Sequence, residues 1–382
     1  MKKFLVLVLA LALCFGGTVF AQEASAIKIG LIAPLTGPVA VYGIAVKNAV
    51  ELFTNAVNES GGIRGHKIEL IAYDDKHDPT EALNAYNRLI AADEVAALIG
   101  PVTSSPTFGV AQASAADNFP GITPTATHPD VTTYGNNYFR ACFEDPFQGG
   151  AMVRFSYEVL KARKAAVIYN ISDAYSTGLY NSFRETAQKV GLEIVAAESY
   201  STDEVDFSVQ LSNIAGKNPD VLFIPDYYNT LYLICSQAKR AGIKAIPLGV
   251  DGADGILEIE GVDISVTDGI YFANHYFKDD PSEIVQNFCK SYEAAFGITP
   301  NSLGALGYDG AAILYNAIER AIDAGIVIGD NEKSYQAIID NMASTKLDGV
   351  TGHITFENNN PVKDITVIKI VDGKYIFESK YR

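Results

Sequence analysis

The sequence has no tryptophan, three methionines, five histidines and four cysteines in 382 residues. Cys14 lies in the opening apolar run, so only Cys142, Cys235 and Cys289 lie beyond it. An odd number at long spacings excludes a disulfide framework and a paired-cysteine metal motif. One bridge among the three stays open. The simpler expectation is that Cys235 and Cys289 are small buried hydrophobes on helices. Basic side chains are also scarce: 29 Lys and Arg stand against 45 Asp and Glu, a net charge of −16. That balance argues against nucleic acid or an anionic membrane as partner. It does not fix the charge of a ligand, because the local field in a cleft can oppose the global one. The common enzyme motifs are missing too. There is no G-x-S-x-G, no phosphate-loop signature and no H-E-x-x-H. His66, His77, His128, His275 and His353 lie far apart and near turns, so no nucleophile–base pair emerges. Asp74, Asp75 and Asp78 look like a metal cluster, but Lys76 and His77 intervene and the calcium-loop spacing fails. A solvated turn is expected there, with no metal and no cofactor. Beyond the opening segment no apolar run is long enough to span a bilayer.

What is present begins with an export signal. Lys2 and Lys3 form a charged start, Phe4 to Phe15 is apolar, and Val19-Phe20-Ala21 offers small residues for a signal peptidase. Residues 1–21 therefore read as a cleaved signal peptide. Cys14 follows Leu13, where a lipoprotein needs a small residue, so a lipid anchor is not expected. Two of the 29 basic residues leave with the signal, and 27 remain against 45 acidic ones. The mature chain of about 360 residues exceeds one ordinary core, so two domains are expected.

The rest alternates strands and helices. Strands are predicted at 27–33, 67–73, 95–99 and 119–123, with helices at about 43–59, 80–92 and 104–116 between and after them. Residues 138–150 break the rhythm, which resumes with strands at 165–169, 192–197, 221–224 and 245–249 and helices at 175–190, 207–215 and 230–241. A further strand (269–273), two helical patterns (281–296 and 305–324) and three β-type runs (353–356, 365–371, 375–379) follow. This grammar, used twice, predicts an α/β protein of two doubly wound parallel-sheet lobes. The closing segments would return to complete both lobes, so the chain crosses between them more than twice.

Open parallel sheets collect ligands beyond the C-terminal ends of their strands. The stretch A-L-I-G-P-V-T-S-S-P-T at 97–107 is a buried strand, a turn, and a helix that opens with hydroxyls. Such a helix start offers unpaired N–H groups and a positive dipole end, enough to hold a carboxylate without a basic side chain. Read alone, Ser104 is equally a plain helix cap. Neighbouring strand ends lead into Thr36 and Tyr42, and into Thr125, Ala126 and Thr127. In the second half they lead into Ser172, Asp173 and Tyr175, into Asp226, Tyr227 and Tyr228, and into Asp251 and Asp254. Hydroxyls gather on one side and tyrosines with carboxylates on the other. If the lobes face each other, the cleft suits a zwitterion such as an α-amino acid. Each residue also has a plainer reading: Thr127 as a turn cap before His128-Pro129, Asp251 as a turn residue, and Tyr42 and Tyr175 as wall residues.

In order, I-K-I-G-L-I-A-P-L-T-G-P (27–38), N-E-S-G-G-I-R-G (58–65), Y-D-D (73–75), I-G-P-V-T-S-S (99–105), F-R (139–140), D-P-F-Q-G (145–149), D-Y-Y (226–228) and G-Y-D-G (307–310) run through nearly the whole mature chain. With these marks the sequence resembles the periplasmic solute-binding proteins of the branched-chain amino acid (Leu/Ile/Val) type, the partners of ABC importers with the type I periplasmic binding fold. The resemblance implies lobes of 27–144 plus 275–351 and 145–274 plus 352–382, joined by a multi-crossing hinge. It implies a periplasmic, non-enzymatic monomer that delivers an amino acid to ABC permease subunits. Ser104 would hold the ligand carboxylate, helped by the Thr127 N–H. Thr127 and the Thr125 carbonyl would meet the ammonium beside Ala126. Tyr42 would line the side-chain pocket with Val102, Thr103 is a further candidate contact, and Tyr175 and Tyr227 would close from the second lobe. Asp251 falls where the Leu/Ile/Val binders carry a glutamate that pairs the ammonium, and Asp226 is the fallback. The family's disulfide near the first-lobe pocket is missing, since neither expected position is cysteine here. Other ligands stay open: an aromatic acid, a short amide or a polar amino acid. An enzyme using the same cleft is the distant rival.

Overall fold

A computed structural model describes residues 25–329 and 331–381. The predicted signal peptide lies outside these residues. The first sheet is built from β1 (Ile27–Ala33), β2 (Ile68–Asp74), β3 (Ala97–Ile99), β4 (Gly121–Thr123) and β5 (Tyr138–Arg140), in the order β2-β1-β3-β4-β5 and all parallel. Most of β1 is buried on both faces, as a central parallel strand between helical layers must be. Helices α1 (Ala40–Glu59), α2 (Pro79–Ala91) and α3 (Ser104–Ala116) make the crossovers. Asp78 caps α2, its Oδ1 accepting from Thr80 N at 2.8 Å and Glu81 N at 2.9 Å. The α1 residues Tyr42, Ala45, Val46, Ala49 and Val50 recur at helical spacing and are buried.

Where the rhythm was expected to break, β5 completes the first sheet and α4 (Asp145–Arg154) opens the second lobe by packing on α5 (Ala174–Val190). β5 is only three residues long, and period-2 patterning does not show over so short a run. The second sheet adds β6 (Lys164–Asn170), β7 (Glu193–Tyr200), α6 (Ser208–Ala215), β8 (Val221–Phe223), α7 (Tyr228–Arg240), β9 (Ile246–Gly249), α8 (Ile264–Thr267) and β10 (Tyr271–Asn274). α9 (Glu283–Phe296), α10 (Ser302–Asp323) and α11 (Glu332–Ala343) follow. α9 and α10 pack on α1, and α11 packs on α10. α10 is buried on almost every side, which explains its nearly continuous apolar sequence. It passes close to α1 at Gly307, where a Cβ would lie 3.0 Å from Val46 O. The sequence pattern did not reveal α11. Its apolar face is only Tyr335, Ile338, Ile339 and Met342.

A small antiparallel sheet of β11 (Lys346–Gly349), β12 (Gly352–Glu357) and β13 (Asn360–Pro361) precedes β14 (Ile365–Val371) and β15 (Lys374–Tyr381). The last two finish the second sheet, β15-β14-β10-β9-β8-β6-β7, with β14 antiparallel to both neighbours. The crossing segments are tied to one another. The Phe143 ring stacks on His275 at 3.7 Å, and Lys363 Nζ donates to Ala141 O at 3.0 Å. Asp309 on α10 accepts from the N–H groups of Val350 and Thr351, both at 2.8 Å. Burial pushes the Lys363 ammonium down to about 8. Cys142, Cys235 and Cys289 are buried and unbridged. Among the described residues, no helix is long and apolar enough to cross a membrane.

Candidate functional site

The site lies where the strand ends of the two sheets face each other. A tight cleft, closed down to about 20 Å³, is lined by Tyr42, Val102, Thr103, Ser104 and Thr125 on one side and Tyr175, Tyr227, Asp251 and Gly252 on the other, with Leu303 of α10 beside them. Two roomier grooves, about 510 and 540 Å³, run along the crossing segments near Tyr276 and Phe277, and neither includes these strand-end residues.

The first wall is set by the turn after β3. Gly100 has φ +97°, and a Cβ there would lie 2.0 Å from Ile32 O, so only glycine lets the chain turn this close to β1. The Thr103 hydroxyl pairs with His77 Nδ1 at 2.8 Å, and α3 starts without a side-chain cap. Pro106 has no N–H to offer, so the donors at this end of α3 are those of Ser104 and Ser105. Ser104 Oγ accepts from His128 N at 3.3 Å. The second loop of this wall, 125–132, is organised by a fully buried arginine. Arg140 donates to Ala126 O (3.1 Å), Pro129 O (2.9 Å), Thr132 Oγ1 (3.2 Å) and Asn360 Oδ1 (2.6 Å). Thr125 Oγ1 donates to Val102 O, which ties the two loops together.

The second wall is a side-chain network. Asp251 Oδ1 accepts from the Tyr175 hydroxyl at 2.6 Å and from Gly252 N at 3.1 Å. Its Oδ2 lies 3.1 Å from His275 Nε2. Its own N–H donates to Gln148 Oε1 at 3.2 Å, and Gln148 Nε2 donates to Asp145 Oδ1 at 3.0 Å. The Tyr175 ring stacks on Tyr227 at 4.9 Å, and Tyr42 meets Tyr227 edge-on at 5.7 Å. Burial, with the Asp251 charge adding to it, pushes the Asp145 carboxyl up to about 8. Burial also lowers the His275 imidazole, so that it is neutral near pH 7.

The two walls touch. The Tyr42 hydroxyl donates to Gly252 O and accepts from Tyr228 N at 3.2 Å. Tyr228 donates to Pro38 O at 3.1 Å, and Ser105 Oγ donates to Asp173 Oδ1 at 2.7 Å. The lobes are thus closed on each other.

Eight of the residues singled out from sequence converge on this cleft: Tyr42, Val102, Thr103, Ser104, Thr125, Tyr175, Tyr227 and Asp251. Three do not line it. Ala126 uses its N–H on Thr123 Oγ1 (3.0 Å) and its carbonyl on Arg140. Thr127 sits just behind the wall, its hydroxyl buried against the Asp145 carboxyl. Asp226 faces its own lobe, accepting from Tyr200 and from Tyr227 N (2.6 Å), and burial pushes its carboxyl up to about 7. The 74–78 turn also corrects an expectation. Asp78 is a cap and Asp74 accepts from Leu35 N at 2.8 Å, but Asp75 is fully buried rather than solvated. No cluster able to hold a metal occurs among the described residues. Sequence reasoning missed His77, Asp145, Gln148, His275 and Leu303. Each reaches the site from an element remote in sequence; His77 and His275 stood out only as isolated histidines, and Asp145 and Gln148 only within D-P-F-Q-G.

Over residues 26–374 the chain matches the family described as Periplasmic binding protein. A Leu/Ile/Val-binding protein homolog of Brucella melitensis is 34% identical over 244 residues, which is 63% of this chain and 66% of that protein. Among solved structures, the leucine-binding protein LivK of Thermotoga maritima aligns with a TM-score of 0.86 and 31% identity over 94% of this chain and 99% of its own. The branched-chain amino acid binding protein LivJ of Streptococcus pneumoniae, solved with isoleucine, gives 0.84 and 30% over 93% and 99%. With two α/β lobes, a multiply crossed hinge and a polar cleft between facing strand ends, the chain belongs to the periplasmic binding protein family, the extracytoplasmic solute-binding partners of ABC importers.

Proposed function

We propose that the cleft captures an α-amino acid with an apolar, branched side chain and that closure presents it to ABC permease subunits. The observation that carries this reading is the pairing of unlike walls in one cleft. The uncapped start of α3 at Ser104 faces the Asp251–Tyr175 pair. The helix end suits a carboxylate and Asp251 suits an ammonium. The relatives named for leucine, isoleucine and valine support the ligand class. In this assignment Ser104 binds the carboxylate, Thr125 O and Asp251 bind the ammonium, and Thr127 backs the wall beside the Asp145 carboxyl. Tyr42, Val102, Tyr175, Tyr227 and Leu303 surround the side chain. Thr103 and Ala126 shape the loops, and Asp226 serves its own lobe. The lobes are taken as 27–144 with 275–351 and 145–274 with 352–382, and residues 1–21 as a cleaved export signal. The receptor works as a monomer.

A thermal-shift screen against the twenty amino acids, aromatic acids and short amides tests this. A ligand at 100 times its dissociation constant adds about 2.7 kcal/mol of stability. Leucine, isoleucine or valine should raise the melting temperature most. A clear response to an aromatic acid or amide, with none to any amino acid, would sink the ligand assignment.

A further inference from the structure

Asp251 has one methylene fewer than the glutamate that the resemblance leads one to expect, and the structure shows what holds it. The geometry points to His275 as the residue that positions the Asp251 carboxylate for the ligand's ammonium. This rests on the amino-acid reading above.

His275 follows β10 directly and is 4% exposed. Its backbone N–H donates to Asn274 Oδ1 at 2.8 Å, and its ring lies flat on Phe143, with an interplanar angle of 23°. The ring therefore has one fixed orientation. Nε2 is 3.1 Å from Asp251 Oδ2, while Nδ1 is buried with no hydrogen-bond partner among the described residues. We assign the proton to Nε2. The other tautomer would bury an N–H without an acceptor and turn a lone pair towards a carboxylate. A doubly protonated ring would also leave Nδ1–H unmatched. His275 is thus a neutral donor to Asp251.

The consequence lies in how the acceptor sites of Asp251 are filled. Oδ1 takes two donors, Tyr175 and Gly252 N. Oδ2 takes one among the described residues, His275, and keeps a second lone pair. A carboxylate held at both oxygens cannot swing back into its own lobe, and Oδ2 keeps the open acceptor site. Because Phe143 and His275 belong to two different crossing segments, the same stack fixes this orientation relative to the hinge.

The test uses leucine and its des-amino counterpart, 4-methylpentanoate, titrated calorimetrically into wild type, His275→Leu and His275→Gln. His275→Leu should weaken leucine about ten- to hundredfold, the range for a lost hydrogen bond to a charged group. It should leave 4-methylpentanoate within about threefold, because that ligand has no ammonium for Asp251 to meet. His275→Gln, which keeps an N–H donor, should recover most of the leucine affinity. Equal losses for both ligands, or no loss for leucine, would overturn the role. Nitrogen NMR of histidine-labelled protein gives a reading that needs no ligand. A neutral ring protonated at Nε2 at pH 7, with a resonance that shifts in Asp251→Asn, is the expected result. A ring protonated at Nδ1 or at both nitrogens overturns the proposal. If wild type binds no amino acid, the proposed function falls, and the NMR result still decides the His275–Asp251 bond.

Discussion

The two walls of the cleft are built by different means. The first-lobe wall is mostly backbone: the turn at Gly100, the uncapped start of α3, and a loop held by Arg140. The second-lobe wall is mostly side chain: Asp251, Tyr175, His275 and Gln148 in one hydrogen-bonded network. A backbone wall is local, because its donors follow from where a strand ends and a helix begins. A side-chain wall is assembled from distant segments, because its members meet only when the chain has folded. The first should therefore be sensitive to whatever supports its loops, and the second to single polar atoms.

Arg140 is the place where the first wall is most open to attack. Its guanidinium satisfies four acceptors, and the side chain is fully buried. Replacing it with methionine keeps volume but removes all four of these hydrogen bonds. Urea unfolding of Arg140→Met should show a loss of about 3–5 kcal/mol. A loss below about 1 kcal/mol would mean that the 125–132 loop stands without it.

The second wall should show itself through pH. The Asp145 carboxyl is raised from its ordinary range to about 8 by burial, so the folded protein holds a proton that the unfolded chain releases near pH 4. Between those values the folded state binds more protons, and stability must fall as pH rises. The contribution is complete below about pH 4, lost progressively up to about pH 8, and its slope is at most about 1.4 kcal/mol per pH unit. Asp226 and Asp75, each pushed up to about 7, act in the same direction, so comparison with a variant is needed. Asp145→Asn should show a shallower decline than wild type between pH 5 and pH 8 in urea titrations. Parallel curves would show that Asp145 is ionised in the folded protein.

The same contrast explains what could be read from the sequence. Strand β1, the hydroxyl-rich start of α3 and the repeated β/α alternation were legible because each depends on neighbours within a few residues. So was the placement of Asp251 and Tyr227 at strand ends. The support of the second wall was not. His275 pairs with a residue 24 positions away and Gln148 with one 103 positions away, and no periodicity encodes such pairs. Asp226 misled for the same reason: at a strand end it looks like Asp251, but Tyr200 from β7 takes its carboxylate. The burial of Asp75 was equally hidden, since a D-D-K-H-D turn carries every mark of a solvated loop.

The central claim is that the start of α3 reads the carboxylate and Asp251 the ammonium of one ligand. Titration of leucine, leucinamide and 4-methylpentanoate into wild type, Ser104→Ala and Asp251→Asn tests it most directly. Ser104→Ala should weaken leucine and 4-methylpentanoate but spare leucinamide. Asp251→Asn should weaken leucine and leucinamide but spare 4-methylpentanoate, with each loss about 1.5–3 kcal/mol. Losses that ignore which end of the ligand is charged, or no loss in either variant, would contradict the account.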